Sequence, residues 1–196
     1  MASKVIERTG EKQMIIKQDQ SPNCCSDSCC HNHSSDSEKD CAHSHDPLTI
    51  TNEEMGVLMD LVQCSYLPVS RFVMSSSKEE EARFVSLAPV YINAFDDSME
   101  TVKEIGTVLS ELEKKRLISL DDDIPLEDYD YTLHSNSVLF AYFTETVNEG
   151  KKNPSFLCDS AEIELGSIAL TELGEKVSAQ IRHEYDSANK AIKPLV

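Results

Sequence analysis

The stretch LSELEKKRLISL, residues 109–120, marks the point at which the chain changes from helical to β periodicity. Before it, apolar side chains recur every three or four residues, which predicts a helix with one buried face over 98–116. An Asp-x-x-Glu start at Asp97 and Glu100, and the basic run at 114–116, suit the two ends of that helix. The letters LISL then predict a short strand.

A second helix is predicted upstream, in ITNEEMGVLMDLVQCSYL at 50–67. Thr51 and Glu54 have the spacing of a capping box, and Pro68 ends the helix. Between the two helices, a serine run followed by an acidic run predicts a surface turn. A short helix is then predicted over about 86–95.

Two strands and a last helix are predicted downstream. The run SVLFAYFTETV at 137–147 is rich in aromatic and β-branched residues, which predicts a strand. In AEIELGSIALT at 161–171 the alternation shifts phase at Gly166, as expected of a strand with a β-bulge. With 148–160 as their loop, the two strands would form a hairpin, and a closing helix is predicted over 171–186.

This order of elements, with LSELEKKRLISL before the hairpin and GSIALTELGEKV at its end, resembles the winged helix-turn-helix superfamily, in particular MarR- and PadR-like regulators. The resemblance covers roughly residues 50–185 and includes an LT-x-x-G helix start at Leu170, Thr171 and Gly174. It implies an α+β winged-helix fold in which the helix at 98–116 lies in the DNA major groove and the hairpin is the wing.

The composition divides the chain into a tail and a body. Residues 22–47 contain no Leu, Ile, Val, Met or aromatic residue, so burial cannot offset the entropy of ordering them. The sequence therefore predicts a disordered Cys/His-rich tail over 1–46, a winged-helix-like domain over 47–187, and a C-terminal tail over 188–196. A chain of 196 residues with 40% hydrophobic content can bury one such core.

The formal net charge of −17 lies mostly on the body, where 27 acids face 13 bases beyond residue 46. That balance disfavours DNA binding, because phosphate contacts need a positive surface. The chain shows neither a secretory h-region nor the roughly 18 consecutive apolar residues of a membrane span. We therefore expect a cytoplasmic protein with reduced thiols and no membrane association.

The segment NCCSDSCCHNHSSDSEKDCAHSH at 23–45 holds five of the seven cysteines and four of the six histidines. Thiolates and imidazoles favour soft or borderline metals, so zinc is the first expected cofactor, with nickel, cobalt and copper as alternatives. The spacing differs from that of a structural zinc finger, although nine ligands could fill two tetrahedral sites. The candidate ligands are Cys24, Cys25, Cys29, Cys30, His31, His33, Cys41, His43 and His45.

Three roles remain open for this segment. It could be a regulatory metal site linked to the body, a storage appendage without effect on the body, or a thiol redox sensor. Outside it, Cys64 is expected to be a buried core thiol and Cys158 a bystander, while His134 and His183 are expected at the surface or as capping residues. The acidic stretch at 121–131 could be a solvated loop or a hard-cation site.

The predicted reading helix also carries three glutamates on its solvent face, which would meet phosphate with like charge. The basic residues at its end could equally be a helix-end cluster, and those of the wing loop could be a solvated loop. The candidate DNA contacts are Lys103, Thr107, Ser110 and Lys114 on the helix, with Lys151, Lys152 and Asn153 in the wing loop.

Functional expectations follow from these features. The sequence lacks a glycine-rich phosphate loop, a nucleophile elbow and an HExxH motif, so we expect no enzyme. The first hypothesis is a metal-responsive transcriptional regulator that binds DNA as a homodimer, with metal binding shifting the spacing of the two reading helices. The alternative is a metal-binding adaptor or chaperone whose acidic winged-helix domain docks a protein partner. A third hypothesis is metal storage by the tail, with an unrelated role for the body.

Overall fold

The structure is a computed structural model that describes residues 4–8, 11–16, 48–79 and 81–192. The chain forms two compact units, Met1–Asn52 and Glu53–Val196. Helices and antiparallel strands are both present, which confirms the predicted α+β class. No helix among the described residues is long and apolar enough to cross a lipid bilayer.

The smaller unit contains a three-stranded antiparallel sheet of β1 (Lys4–Arg8), β2 (Glu11–Ile16) and β3 (Leu48–Ile50), in the order β1-β2-β3. Ile16 and Ile50 are buried. Strands β1 and β2 lie within the tail predicted to be disordered, so the structure differs from that prediction there. The physical reason is that these stretches contain β-branched and other apolar residues, which 22–47 lacks.

The larger unit supplies the other elements, in the order α1-β4-β5-α2-β6-α3-α4-β7-α5. The helices are α1 (Asn52–Cys64), α2 (Met99–Lys114), α3 (Thr132–Ser135), α4 (Val138–Gly150) and α5 (Glu172–Ile192). The strands are β4 (Tyr66–Ser75), β5 (Arg83–Val90), β6 (Ile118–Asp121) and β7 (Ser160–Leu170). The predictions of α1, α2, β6, β7 and α5 are confirmed, although α5 continues into the predicted C-terminal tail.

The four strands of this unit form one antiparallel sheet in the order β5-β4-β7-β6. Strands β4 and β7 pair continuously from Tyr66 opposite Ala169 to Ser75 opposite Ser160. Phe72 of β4 stands at the centre of the core, where its ring centroid lies 5.2 Å from that of Phe140 and 5.4 Å from that of Phe143. The cluster around it also contains buried Val90, Ile92, Val102 and Leu139, so β5, α2 and α4 share this core.

Residues 137–147, predicted to be a strand, begin α4 instead. Leu139, Phe143 and Val147 recur at four-residue spacing and face the core, while Tyr142 is 63% exposed. Ser137 caps the helix by accepting a hydrogen bond from the amide of Phe140 at 3.1 Å. Helical burial thus overrides the local β propensity.

The predicted wing hairpin is therefore wrong, because residues 137–171 form a helix, a turn and one strand, and β7 pairs with β4 and β6. Without this hairpin, the winged-helix fold is not confirmed. The helix predicted over about 86–95 is also wrong, because most of its first half belongs to β5, which pairs with β4. Neither pairing is visible in local periodicity, because the partners are distant in sequence.

The predicted bulge at Gly166 is absent, because β7 keeps an unbroken register with β4 on both sides of this residue. The register shifts of this sheet lie between β4 and β5 instead. Gly166 has another role, since a Cβ there would collide with the backbone carbonyl oxygen of Asp121 at the end of β6. The glycine thus permits a close approach of the chain.

Helix starts are set by local side-chain hydrogen bonds. Ser98 caps α2 by accepting from the amide of Thr101 at 3.1 Å, whereas Asp97, the predicted cap, accepts from two amides of the preceding turn. Thr171 accepts from the amide of Gly174 at 3.0 Å and donates to the carbonyl of Arg116 at 2.6 Å. The LT-x-x-G stretch is thus a helix start that also ties α5 to the end of α2.

Candidate functional site

The nine candidate metal ligands, all between residues 24 and 45, lie outside the described residues. Within the described residues, no group of three or more His, Cys, Asp or Glu side chains is arranged to hold a metal ion. Metal binding stays a prediction that rests on the donor set, in which five thiols and four imidazoles suit zinc and its neighbours.

The candidate DNA contacts of α2 are exposed or half-buried, but most are engaged within the helix. The Thr107 hydroxyl donates to the carbonyl of Lys103 at 2.9 Å, and that of Ser110 donates to its own preceding turn at 2.8 Å. Lys114 forms an ion pair with Glu111 at 2.6 Å. These side chains therefore offer few free donors to base edges.

The other candidate contacts, Lys151, Lys152 and Asn153, follow α4 rather than lying in a hairpin loop. Lys151 binds Asn148 at 2.8 Å, and Lys152 pairs with Glu149 at 2.6 Å. These bonds lie within one turn of the helix end. The lysines thus serve as local helix-end partners, and no wing presents them.

The structure does not bring the two candidate groups together. Lys151 lies near the start of β7. Hydrogen bonds from Ser77 and, after them, the charge of Lys151 lower the pKa of Asp159, the residue directly before that strand. Lys114 lies instead near the end of β7, because the carbonyl of Arg116 accepts from Thr171. Eleven residues of extended strand separate these ends by roughly 30 Å.

An open cleft of about 900 Å³ lies in the larger unit, and we refer to it as the tyrosine cleft. Its walls come from the end of α1, the start of β4, the turn after β5, the 122–131 loop, α3 and β7. The lining residues are Cys64, Tyr66, Leu67, Pro68, Tyr91, Ile92, Asn93, Ile124, Pro125, Leu126, Glu127, Asp128, Tyr129, Leu133 and Ser167.

The tyrosine cleft has a buried floor and an exposed mouth. Leu67, Ile92 and Ser167 are at most 8% exposed, so they close the bottom with a mainly apolar surface. Tyr66 and Tyr129 are 56% and 41% exposed, respectively, and lie at the mouth. Large clefts of this kind, apolar but with a few polar groups, are typical of binding sites.

Tyr131 holds the 122–131 loop in place. Its hydroxyl donates to the carbonyl of Gly166 in β7 at 2.6 Å and accepts from the amide of Leu126 at 3.0 Å. Its ring packs edge-on against Tyr129, with ring centroids 5.0 Å apart. Because Tyr131 is itself buried, this wall of the cleft is tied to the sheet rather than free in solvent.

The cleft carries negative charge. Among the described residues that line it, the charged ones are Glu127 and Asp128, and none is Lys, Arg or His. The pKa of the Tyr91 phenol is raised, first by burial and then by the charge of Asp60 and the proximity of Tyr129. The Tyr91 phenol therefore stays neutral at physiological pH.

A buried histidine lies next to the cleft residue Leu133 in sequence. His134 is 0% exposed, and its Nδ1 lies 2.8 Å from the Ser70 hydroxyl oxygen. Burial lowers the pKa of His134 to about 4, so the ring is neutral at pH 7. The predicted surface or capping position of His134 is therefore wrong, because α3 turns this ring inward.

The other single-residue predictions have mixed outcomes. Cys64, predicted to be a core thiol, is exposed and lines the cleft, because it ends α1 instead of facing the sheet. Cys158, predicted to be a bystander, is 3% exposed just before β7. His183 is exposed on α5, as predicted.

Comparison of the chain with known protein families, curated proteins and solved structures found no match. The resemblance to winged-helix regulators therefore stays a prediction.

Sequence reasoning missed the tyrosine cleft. The stretch at 121–131 was expected to be a solvated loop or a hard-cation site, whereas most of it forms one wall of the cleft. The sequence feature that could have indicated the cleft is the presence of Ile124, Leu126 and two tyrosines among the acidic residues. A purely solvated loop does not need large apolar side chains.

Proposed function

We propose that this protein is a non-enzymatic, metal-binding adaptor of the cytoplasm whose larger unit docks a protein partner in the tyrosine cleft. The observation that carries the proposal is the cleft itself, in which an apolar floor and three tyrosines surround about 900 Å³ of open space. Tyrosine is enriched at protein interfaces because one ring offers both apolar area and a polar tip.

The charge of the body favours a protein over DNA as the partner. A net charge of −17 repels phosphates, and the lysines at the candidate DNA positions 114, 151 and 152 already have partners within their own helices. A protein can match this surface locally, because its own charges are mixed in sign.

The metal-binding half of the proposal rests on the Cys/His segment at 23–45. Its donor set would hold a soft or borderline divalent ion, zinc first, through thiolate and imidazole ligands. Coordination would supply ordering energy that this segment cannot obtain by apolar burial. The adaptor would then combine a metal-bearing arm with a docking body.

Photocrosslinking from the cleft tests the docking proposal. A benzoylphenylalanine at position 129 is expected to crosslink a defined protein in cells, whereas the same group at position 142, which is exposed on α4, is not. The crosslinked protein is then purified, and its affinity is measured for the wild type and for Tyr91→Leu. We expect the substitution to weaken binding about tenfold, as for an interface anchor.

Equal crosslinking at positions 129 and 142, or an unchanged affinity of Tyr91→Leu, would contradict docking in the cleft. DNA binding is measured in parallel by fluorescence anisotropy at two salt concentrations, on metal-free protein and after zinc addition. A metal-dependent, salt-sensitive affinity would support the dimeric regulator in place of the adaptor.

A further inference from the structure

Three aromatic rings line the tyrosine cleft from three separate segments of the chain. Tyr66 begins β4, Tyr91 follows β5, and Tyr129 belongs to the 122–131 loop. Tyr91 and Tyr129 lie close together, since the pKa of Tyr91 is raised first by burial, then by Asp60 and then by Tyr129. Rings that approach from different directions can place more than one negative π-face around a single bound group.

The carboxylates of the cleft are uncompensated, in contrast to those of the neighbouring sheet. On the sheet, Arg71 pairs with Asp122 and Glu164, and Arg83 pairs with Glu162 and Glu164. Across the described part of the chain, no ion pair engages Glu127 or Asp128, the two charged residues that line the cleft. Negative charge at the cleft is therefore available to a ligand.

The floor suits an aliphatic stem. Leu67 and Ile92 provide buried apolar surface below the rings. Lysine and arginine side chains carry a cation on such a stem, and the stem can lie along apolar surface while the cation stays near carboxylates and rings. An anionic group would be repelled here, and a neutral apolar group would desolvate the carboxylates without compensation.

On the basis of the proposed docking function, we propose that the tyrosine cleft recognises a lysine or arginine side chain within a basic segment of the partner protein. The cation lies among Tyr66, Tyr91 and Tyr129, and Glu127 and Asp128 pair with it or with a neighbouring base. A volume of about 900 Å³ exceeds that of one side chain, so a short peptide segment occupies the cleft with its cation as the anchor.

The test uses the full-length protein and a fluorescein-labelled peptide, Gly-Ser-Arg-Ser-Lys-Ser-Arg-Gly. The matched neutral peptide carries citrulline for arginine and acetyl-lysine for lysine, which keeps the shape and removes the charge. Fluorescence anisotropy measures both affinities. We expect the neutral peptide to bind at least about tenfold more weakly, since cation–π and charge contacts are both lost.

Paired variants locate the effect. Tyr91→Leu and Tyr129→Leu are expected to weaken binding of the basic peptide severalfold, whereas Tyr142→Leu, outside the cleft, leaves it unchanged. The double variant Glu127→Gln/Asp128→Asn is compared with Glu113→Gln/Glu145→Gln, which removes the same net charge from exposed helix positions. Only the first pair is expected to weaken binding, and thermal melting confirms that every variant is folded.

Two results would overturn the inference while leaving the docking proposal intact. The first is tight binding of the neutral peptide that is lost in Tyr91→Leu, because the cleft would then take an apolar partner. The second is competition by tetramethylammonium as strong as that by the peptide, because a small organic cation would then suffice. Failure of both peptides together with failure of the crosslink at position 129 would overturn the docking proposal as well.

Discussion

At the scale of single residues, the surroundings of His134 have the largest effect on its pKa. Its ring is fully buried between the sheet and the 131–137 turn, and Ser70 is its hydrogen-bonding partner. Burial penalises the charged imidazolium because protein interiors solvate a charge poorly. The same residue type at position 183 is exposed on α5. Sequence alone does not separate these two histidines, since both are lone histidines outside the Cys/His segment.

The depressed pKa of His134 predicts a pH-dependent stability. The ring binds a proton near pH 6.5 when unfolded but only near pH 4 when folded. The neutral, buried His134 ring therefore contributes fully to the stability of the fold above pH 6.5. This contribution decreases as the pH falls towards 4, by on the order of 3 kcal/mol. Chemical denaturation at several pH values between 7.5 and 4.5 measures the slope.

A His134→Gln variant provides the comparison for that experiment, with His183→Gln as its control. We expect the first variant to flatten the slope between pH 6.5 and 4.5, and the second to keep the wild-type slope. The window avoids the carboxyl groups whose pKa is lowered, such as Asp130 and Asp159, because these groups titrate below it. Equal slopes in all three proteins would contradict the assignment to His134.

The same substitution, glycine to alanine, is expected to have opposite effects on stability at two helical positions. A Cβ added to Gly56 on α1 would meet nothing within 4 Å, whereas a Cβ on Gly106 of α2 would lie 2.9 Å from the carbonyl oxygen of Pro89. Gly56→Ala should stabilise the protein by about 0.5–1 kcal/mol through helix propensity. Gly106→Ala should destabilise it by about 1–3 kcal/mol, because α2 must move away from β5.

Urea denaturation of the two glycine variants checks this pair. The prediction concerns the sign of each change in the free energy of unfolding, so comparison of each variant with the wild type is sufficient. Stabilisation by Gly106→Ala would mean that α2 does not approach Pro89 of β5 as closely as described. Destabilisation by Gly56→Ala would mean that this part of α1 has a contact at the glycine.

At the scale of elements, an ion pair joins the start of α1 to the end of α2. The ammonium of Lys115 lies 2.5 Å and 2.7 Å from the two carboxylate oxygens of Glu54, and Glu54 is only 3% exposed. A buried charge that loses its partner is costly. This pair therefore fixes the relative position of two helices that are far apart in sequence.

Replacing Lys115 with methionine tests that link. We expect Lys115→Met to lower the free energy of unfolding by about 2 kcal/mol, because the buried Glu54 carboxylate loses the ammonium group of Lys115. The double variant Glu54→Gln/Lys115→Met should recover much of the loss. Lys114→Met, which removes an exposed pair with Glu111, should leave stability unchanged within error. Equal effects of both lysine variants would contradict the importance of burial.

At the scale of the whole molecule, two independent properties meet in one chain. The larger unit provides a cleft built from six segments of its fold, and the Cys/His segment provides candidate metal ligands within 23 consecutive positions. The first property needs tertiary structure, and the second needs only composition. Their tests are therefore separable.

Metal uptake is predicted from the ligand count. Nine ligands suffice for two tetrahedral sites, so we expect about two zinc ions per chain after dialysis against excess zinc. Replacing Cys24, Cys25, Cys29 and Cys30 with serine leaves five ligands, enough for one tetrahedral site, and should reduce the stoichiometry to about one, as measured by elemental analysis. Cys64→Ser, at an exposed thiol of the larger unit, should leave it unchanged. An equal loss in both variants would place the metal elsewhere.

The sequence by itself determined the features that depend on neighbours within one or two helical turns. The apolar stripe of α2, the Thr171 cap of α5 and the extended state of β7 are all predictable locally, and all three are present in the structure. The metal-binding expectation belongs to the same class, because ligand type is a property of composition.

Only the tertiary structure decided the pairing of β4 with β7, the helical state of 138–150 and the tyrosine cleft. Strand pairing joins residues about ninety positions apart, such as Phe72 and Ile163, and local periodicity carries no information on such partners. The aromatic run of α4 favours a strand in isolation but becomes helical, because one helical face can then bury Leu139 and Phe143 against Phe72. The cleft follows from these pairings, since long-range contacts bring its six walls together.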